Sequence, residues 1–129
     1  MTWLVDTHLL IWAVYATRRL SPDARRLLAD PGNRLAFSVA SPWEIVIKAA
    51  KARADFAPRA AELRRALLGA GWAELPIRAE HVLELVNLPR LHSDPFDRIL
   101  LAQARVEGMR LLTADRRLAD YGAPVTCVA

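Results

Sequence analysis

Cysteine and long apolar runs are the features that this sequence lacks. Cys127 is the only cysteine among 129 residues, which excludes an internal disulfide and a cluster of thiolate ligands. The absence of disulfides suits a reducing cytoplasm. No run approaches the roughly 20 apolar residues of a membrane span. The start of the chain carries Asp6 and lacks a basic leader, which argues against a signal peptide. We therefore expect a soluble cytoplasmic protein that does not enter a membrane.

Lysine is also scarce, so arginine supplies almost all of the positive charge. The formal net charge is +4. Because the planar guanidinium suits phosphate, this balance is compatible with a nucleic-acid partner. The signal is mild, since many basic proteins bind no RNA. The length predicts a single domain over residues 1–129, and the 53% hydrophobic content is enough for its core.

Short apolar runs alternate with amphipathic segments along the chain. Strands are predicted at Thr2–Val5, Arg34–Val39, Trp72–Pro76, Arg110–Leu112 and Val125–Val128. Helices are predicted after Asp6, after Ser21, from Ser41 towards Lys51, over Pro58–Leu68, Arg78–Val86 and Phe96–Val106, and briefly over Asp115–Asp120. Ser21 and Ser41, each followed by proline, are the expected N-caps. This alternation predicts an α/β fold in which helices cover both faces of a parallel sheet.

Four acidic residues fall where predicted strands lead into helices. Asp6 follows the first strand, Glu44 lies in the first turn after the second strand, Asp97 begins a helix, and Asp115 follows the strand RLLT. The carboxyl ends of parallel strands meet at one edge of a sheet, so these acids are expected to converge. Crowded carboxylates need a cation, and oxygen-only ligation suits Mg²⁺ or Mn²⁺. Such an ion supports hydrolysis of a phosphodiester.

Each acid also has a structural interpretation. Asp6, Glu44 and Asp115 occupy positions typical of helix caps or of partners of the helix dipole. Asp97 is followed by Arg98 and could form a surface ion pair with it. The functional interpretation depends on the number of acids and on their equivalent positions in the predicted topology.

The four acids lie in distinctive segments, which read LVDTHLLIW, SVASPWEIVIK, LHSDPFDRILLAQA and LLTADRRL in chain order. These segments resemble those of the PIN-domain nucleases, and in particular of the VapC-type toxins of bacterial toxin–antitoxin pairs. The resemblance covers nearly the whole chain. It implies a three-layer α/β/α fold with four or five parallel strands, and cleavage of RNA that depends on Mg²⁺ or Mn²⁺.

The resemblance implies a role for each acid. Asp6 and Asp97 are the expected direct metal ligands. Glu44 would bind the ion through water or orient the attacking water. Asp115 would ligate the ion directly or through water.

Five further residues are expected to support the site. Thr7 and Thr113 place hydroxyls beside the acids, although Thr7 is equally a plain helix cap. Ser41 is expected to be a cap that also faces the site. Asp94 would assist the site or simply form an Asp-Pro turn. Arg98 would steady a carboxylate, contact phosphate or form a surface ion pair.

The three histidines are assigned no catalytic role. His8 is expected to pack on the first helix or at a dimer surface, and His92 to form a hydrogen bond within its loop. His81 lies on a helix with no acidic cluster nearby in the sequence. Trp12 and Trp43 are expected in the core or at a subunit contact.

The resemblance also implies three partners: RNA, a second copy of the chain, and a small antitoxin. The tail of such an antitoxin would cover the active site and place an arginine among the acids as a substitute for the metal. A phosphate-receiving regulator domain is the first rival hypothesis, but Asp6 is followed by Thr7 and no lysine occurs after Lys51. An RNA-processing nuclease of housekeeping type is the second rival, and a PIN-like module that binds RNA or protein without cleaving is the third.

Overall fold

The computed structural model describes residues 1–51 and 59–129. Within those ranges, five strands form one sheet in the order β3-β2-β1-β4-β5, and every neighbouring pair is parallel. The strands are β1 (Thr2–Val5), β2 (Arg34–Ser38), β3 (Ala73–Leu75), β4 (Arg110–Thr113) and β5 (Val125–Cys127). The predicted parallel α/β fold is confirmed, with the larger of the two expected strand numbers.

Helices connect these strands. They are α1 (Thr7–Tyr15), α2 (Pro22–Ala29), α3 (Ala40–Lys51), α4 (Ala60–Gly69), α5 (Ala79–Glu84) and α6 (Pro95–Glu107), with single 3-10 turns at Thr17–Arg19, Leu85–Asn87 and Leu118–Tyr121. Asp6, Ser21 and Asp94 cap α1, α2 and α6 through their side chains. Gly108 ends α6 with φ at +67°, a left-handed conformation that favours glycine. None of the described helices is long and apolar enough to cross a bilayer.

Two boundary predictions are wrong. Ser41 is not an N-cap, because the N–H of Trp43 already donates to the carbonyl of Val39 and α3 begins at Ala40. The hydroxyl of Ser38 accepts the N–H of Ala40 instead, at 3.0 Å. The short helix expected over Asp115–Asp120 is a 3-10 turn that begins later, at Leu118. The predicted start of α4 at Pro58 lies outside the described residues.

The core has two halves, one on each face of the sheet, because successive strand side chains point to opposite faces. Leu4, Ala36 and Leu111 face one cluster, together with side chains of α6. The next residues along each strand are Val5, Phe37 and Leu112, and they face the other cluster with side chains of α1 and α4. Helices therefore cover both faces, as the three-layer prediction requires.

The strand order reverses beside β1. From β1 the chain proceeds through β2 to β3 on one side, and it then crosses to β4 and β5 on the other side. Ligands of open α/β sheets bind outside the carboxyl ends of strands at such a switch point. Here those ends are Val5 of β1 and Thr113 of β4, which directly precede Asp6 and Ala114.

Candidate active site

Buried polar side chains concentrate at the carboxyl rim of the sheet. Of the eight buried polar residues in the described ranges, six lie there, namely Asp6, Thr7, Ser38, Ser41, Glu44 and Thr113. The other two are His81 and Gln103. Burying a polar group costs free energy unless it is paired, so a concentration of this kind requires an explanation.

Asp6 is both a helix cap and part of this rim. Its backbone N–H donates to the carbonyl of Leu112 at 3.0 Å, which extends the ladder between β1 and β4. One carboxylate oxygen accepts the N–H of Leu9 at 2.9 Å, and the other accepts the hydroxyl of Thr113. Burial raises the pKa of Asp6, and both hydrogen bonds oppose that rise. The cap interpretation is therefore correct without excluding a role in the site.

Thr113 links Asp6 to Asp115. Its hydroxyl donates to Asp6 and accepts the backbone N–H of Asp115 at 2.9 Å. Asp115 also forms an ion pair with Arg117, with Nη2 at 2.9 Å from one carboxylate oxygen and Nε at 3.2 Å from the other. This guanidinium lowers the pKa of Asp115. The sequence expectation that Thr113 holds an acidic side chain agrees with these contacts.

Asp94 and Asp97 begin α6. The carboxylate of Asp94 accepts the N–H groups of Phe96 and Asp97, at 2.8 and 3.2 Å, so Asp94 is the N-cap of α6, a role that its sequence pattern did not predict. Asp97 lies 2.8 Å from Nε2 of His92 through Oδ2. Burial, and then the charge of Asp94, raise the pKa of Asp97 to about 6.

His92, Asp97 and Asp115 form one group of possible metal ligands. Each offers one atom, and the three atoms lie within 4.8 Å of one another. Asp6 and Glu44 are not members of this group, and the group includes a histidine besides two of the four acids. His92 was expected to make only a loop hydrogen bond; its bond is made to an acid of the site. The positions of His92 in a loop and of Asp97 in the first turn of α6 gave no sequence signal that predicts this contact.

Glu44 is buried close to this group. It is 3% exposed, one carboxylate oxygen binds Nζ of Lys48, and Oε1 has no hydrogen-bond partner. The charge of Glu44 contributes to the raised pKa of Asp97. A buried acceptor without a donor is costly, by about 1–3 kcal/mol. The environment of Oε1 therefore suits an additional donor, such as a water molecule held by a cation.

Thr7 and Ser41 join helices rather than contact the acids. The Thr7 hydroxyl donates to Ser41 Oγ at 2.9 Å, which ties the start of α1 to the start of α3. Trp43 packs edge-on against Phe96, with ring centroids 4.9 Å apart, and ties α3 to α6. Thr7 was expected to hold a carboxylate or to cap α1; Asp6 is the cap, and Thr7 binds Ser41.

Arg98 fixes the loop that carries His92. Its guanidinium donates to the carbonyls of Pro89, Leu85 and His92 at 3.1 to 3.4 Å, and to the hydroxyl of Tyr121 at 3.3 Å. None of these contacts is with a carboxylate, so neither the ion pair with Asp97 nor the carboxylate contact that the sequence left open for Arg98 is formed within the described residues. Arg98 instead positions the backbone from which His92 reaches Asp97.

The family model described as the PIN domain matches residues 3–124. Among solved structures, the chain resembles one chain of VapBC2 from Rickettsia felis bound to a DNA fragment from its promoter, with 12% identity and a TM-score of 0.69 over 98% of this chain and 97% of that one. A toxin–antitoxin complex from Klebsiella pneumoniae gives 21% identity and a TM-score of 0.67 over the same shares. VapBC-1 from nontypeable Haemophilus influenzae gives 17% identity and a TM-score of 0.66 over 98% of this chain and 96% of that one. Among the curated proteins, nothing matches this sequence. These findings confirm the resemblance drawn from the four acidic segments.

Proposed function

This chain belongs to the PIN domain family, and we propose that it is a metal-dependent endoribonuclease that hydrolyses RNA phosphodiester bonds. The observation that carries the proposal is the group formed by His92, Asp97 and Asp115 at the switch point of the sheet, with Asp6 and Glu44 buried beside it. Carboxylates brought together from separate segments repel one another, so their convergence destabilises the folded chain unless a cation or a proton offsets the charge.

The residues of the rim fit a divalent cation. Two carboxylates offer hard oxygen ligands, burial and then the charge of Asp94 raise the pKa of Asp97, and Glu44 Oε1 is buried without a donor. Carboxylates with several retained waters are the ligands that Mg²⁺ prefers, and Mn²⁺ accepts the same set. When bound, such an ion supplies an activated water and stabilises charge that develops on the phosphate.

Each polar residue of the rim has a separate proposed role in cleavage. Asp97 and Asp115 hold the ion, and Asp6, oriented by Leu9 N–H and Thr113, is the third proposed ligand. Lys48 occupies one oxygen of Glu44, which leaves Oε1 to orient the attacking water and accept its proton. His92 holds the carboxylate of Asp97 in place rather than reacting itself.

We further propose that the nuclease is the toxin of a toxin–antitoxin pair and inhibits growth by cleaving an RNA needed for translation. The support is the fold shared with chains of VapBC complexes, which are assemblies of toxin and antitoxin. The expected partners are a cognate antitoxin that covers the acids with an arginine, and a second copy of the chain. Both are expected to meet it in the cytoplasm.

Cleavage of RNA by the purified protein tests the catalytic proposal. Mg²⁺ should support cleavage and EDTA should stop it. Asp97→Asn should be inactive, because an amide keeps the shape of the carboxylate and loses its charge. Asp23→Asn is the matched control, since Asp23 is an exposed acid on α2 that pairs with Arg26, and it should cleave like the parent. Undiminished cleavage in EDTA would contradict the metal, and RNA binding without cleavage would favour a PIN-like module that only binds RNA.

Brief induction in a bacterial host tests the toxin proposal. Expression of the wild type should arrest growth, and expression of Asp6→Asn should not. Sequencing the 5′ ends of cellular RNA after both inductions identifies the cleaved molecule as the one with ends unique to the wild type. Harmless overexpression of a protein that cleaves RNA in vitro would favour a housekeeping nuclease.

A further inference from the structure

A cavity of about 610 Å³ opens next to the ligand group. Its lining includes Arg90, His92, Ser93, Arg98, Arg117 and Asp120, and we name it the arginine cavity. Two of these residues connect it to the site, because His92 contacts Asp97 and Arg117 contacts Asp115. Its volume lies within the roughly 300–1,000 Å³ typical of ligand pockets.

The arginine cavity is positive where the neighbouring rim is negative. Three arginines against one aspartate give its lining a formal charge of +2. The rim beside it carries Asp6, Glu44, Asp97 and Asp115. A ligand that uses both regions must bring a phosphate or similar anion to the cavity and place a second group at a metal held by the acids. A polyanionic chain with repeating phosphates meets that requirement.

The three arginines differ in how their guanidinium groups are occupied. Arg98 is bound by three backbone carbonyls and a tyrosine hydroxyl, so it forms the wall of the cavity. Arg117 is bound to both oxygens of Asp115. Arg90 is exposed and forms no hydrogen bond or ion pair within residues 1–51 and 59–129. Arg90 is therefore the guanidinium that can bind an incoming phosphate without breaking an existing contact.

We propose that the arginine cavity binds the nucleotide next to the cleaved bond, and that Arg90 is the ligand of that nucleotide's phosphate. The proposal rests on the RNA cleavage proposed above. A guanidinium binds a phosphate through two parallel hydrogen bonds, which fixes orientation as well as adding affinity. Arg90 would thus set the register in which RNA crosses the acids. The rigid wall made by Arg98 keeps the loop of Arg90 and His92 in one position relative to Asp97.

Equilibrium binding of a labelled single-stranded RNA, measured in EDTA at several salt concentrations, tests the phosphate contact. One contact to a single strand contributes about 0.7 to the slope of log K against log salt, or about fivefold in affinity at 0.1 M salt. Arg90→Ala should lose this contribution to the slope and this fivefold affinity, whereas Arg90→Lys should keep the slope. Arg65→Ala is the control, since Arg65 is an exposed arginine of α4, which packs against α1 and α3, and it should change neither. Equal thermal midpoints establish that the variants fold.

Cleavage of RNAs that carry one neutral methylphosphonate linkage locates the contact. With the wild type, neutralising the linkage beside the cleaved bond should reduce kcat/KM by about fivefold, the loss of one phosphate contact. With Arg90→Ala, the same RNA should be cleaved as fast as the unmodified one, because the contact is already absent. Neutral linkages farther away should affect both enzymes alike.

The possible failures are distinguishable. If the wild type neither binds nor cleaves RNA, the proposed function and this inference fall together. If it cleaves RNA but Arg90→Ala binds with the wild-type affinity and slope, only the inference is overturned. Only the inference is overturned, too, if Arg65→Ala weakens RNA binding as much as Arg90→Ala does. If Arg90→Ala weakens only the complex with a protein antitoxin, the inference is also overturned and the cavity belongs to that partner.

Discussion

Two groups of buried and half-buried polar side chains in this protein differ in how completely their own partners stabilise them. The first is the acidic rim group, Asp6, Glu44, Asp97 and Asp115. The second lies between α5 and α6, and we name it the His81 group. There, the wholly buried His81 accepts the Arg78 N–H at Nδ1, 3.0 Å away, and Nε2 lies 2.7 Å from Glu107. Since Nδ1 is an acceptor, Nε2 carries the proton and donates to Glu107.

Complementary partners account for the His81 group, whereas like charges define the rim group. In the His81 group each contact lowers the cost of burial and joins α5 to α6, so folding alone explains it. In the rim group, the pKa values of Asp6 and Asp97 are raised and an oxygen of Glu44 is unpartnered. Raised pKa values among several carboxylates together with an unpartnered carboxylate oxygen therefore indicate a ligand more strongly than one unpartnered atom does, since Gln103 Oε1 is unpartnered beside the His81 group as well.

Metal affinity should separate the two groups most sharply. Titration calorimetry with Mn²⁺ is expected to show at least a hundredfold loss of affinity for Asp97→Asn, because removal of outer partners alone costs about 10–100-fold. Glu107→Gln removes the carboxylate of the His81 group and should bind Mn²⁺ like the wild type. Equal affinities for both variants would show that the rim group does not hold the ion.

The free energy of unfolding should depend on the His81 group, although metal affinity does not. His81→Ala leaves a cavity and removes the partner of the Arg78 N–H and of Glu107, so its free energy of unfolding should fall by about 2–4 kcal/mol in urea denaturation. Metal affinity of the folded protein should not change. His8→Ala, at an exposed histidine, should alter stability by about 0.5 kcal/mol or less. Loss of Mn²⁺ binding in folded His81→Ala would contradict the division into two groups.

The hydroxyl of Thr113 should matter more for activity than for folding. Thr113→Val keeps the shape of the side chain and removes the link between Asp6 and Asp115, so kcat/KM should fall by about 10–100-fold. The unfolding free energy should fall by about 1 kcal/mol. Thr126→Val on the neighbouring β5 removes a hydroxyl that binds Arg110, and its kcat/KM should stay within twofold or so of the parent. An equal effect of both variants on cleavage would remove Thr113 from the site.

The pH dependence of stability is the smallest expected difference. Asp97 has a pKa of about 6 in the folded chain and about 4 when unfolded. Between these values the folded chain binds more protons, so in EDTA its stability should decrease as the pH rises from 4 to 6 and then level off. The wild-type curve should therefore fall below that of Asp97→Asn across this window. Urea denaturation at each pH measures both, and parallel curves would contradict the raised pKa of Asp97.

Local chemistry made most of the fold predictable. Asp6 and Ser21 cap helices where their patterns indicated, since an N-cap depends on a few adjacent residues. The Ser41-Pro42 pattern failed because the Ser38 hydroxyl, three residues earlier, accepts the Ala40 N–H and α3 begins there. Two competing caps of similar strength cannot be ranked without the tertiary packing.

The acids of the site were predictable because a parallel sheet brings the ends of its strands together. Asp6 and Asp115 follow neighbouring strands, and Thr113 between them was expected to hold an acid. His92 and Arg98 were not predictable, because their partners depend on how a loop of irregular backbone folds onto α6. Nothing in the order of residues from Asn87 to Pro95 determines that His92 turns towards Asp97 or that Arg98 binds carbonyl oxygens.

Because Arg98 anchors that loop, the positions of the acids and the identity of the loop side chains depend on different parts of the chain. Asp6 and Asp115 follow the ends of hydrogen-bonded strands, whereas Arg90 and His92 lie on backbone that one guanidinium holds through the carbonyls of Leu85, Pro89 and His92. A substitution among the loop side chains leaves those carbonyls, and hence the anchor, intact. The side chains of this loop, Arg90 among them, can therefore vary between related chains while the acids that follow the strands keep their positions.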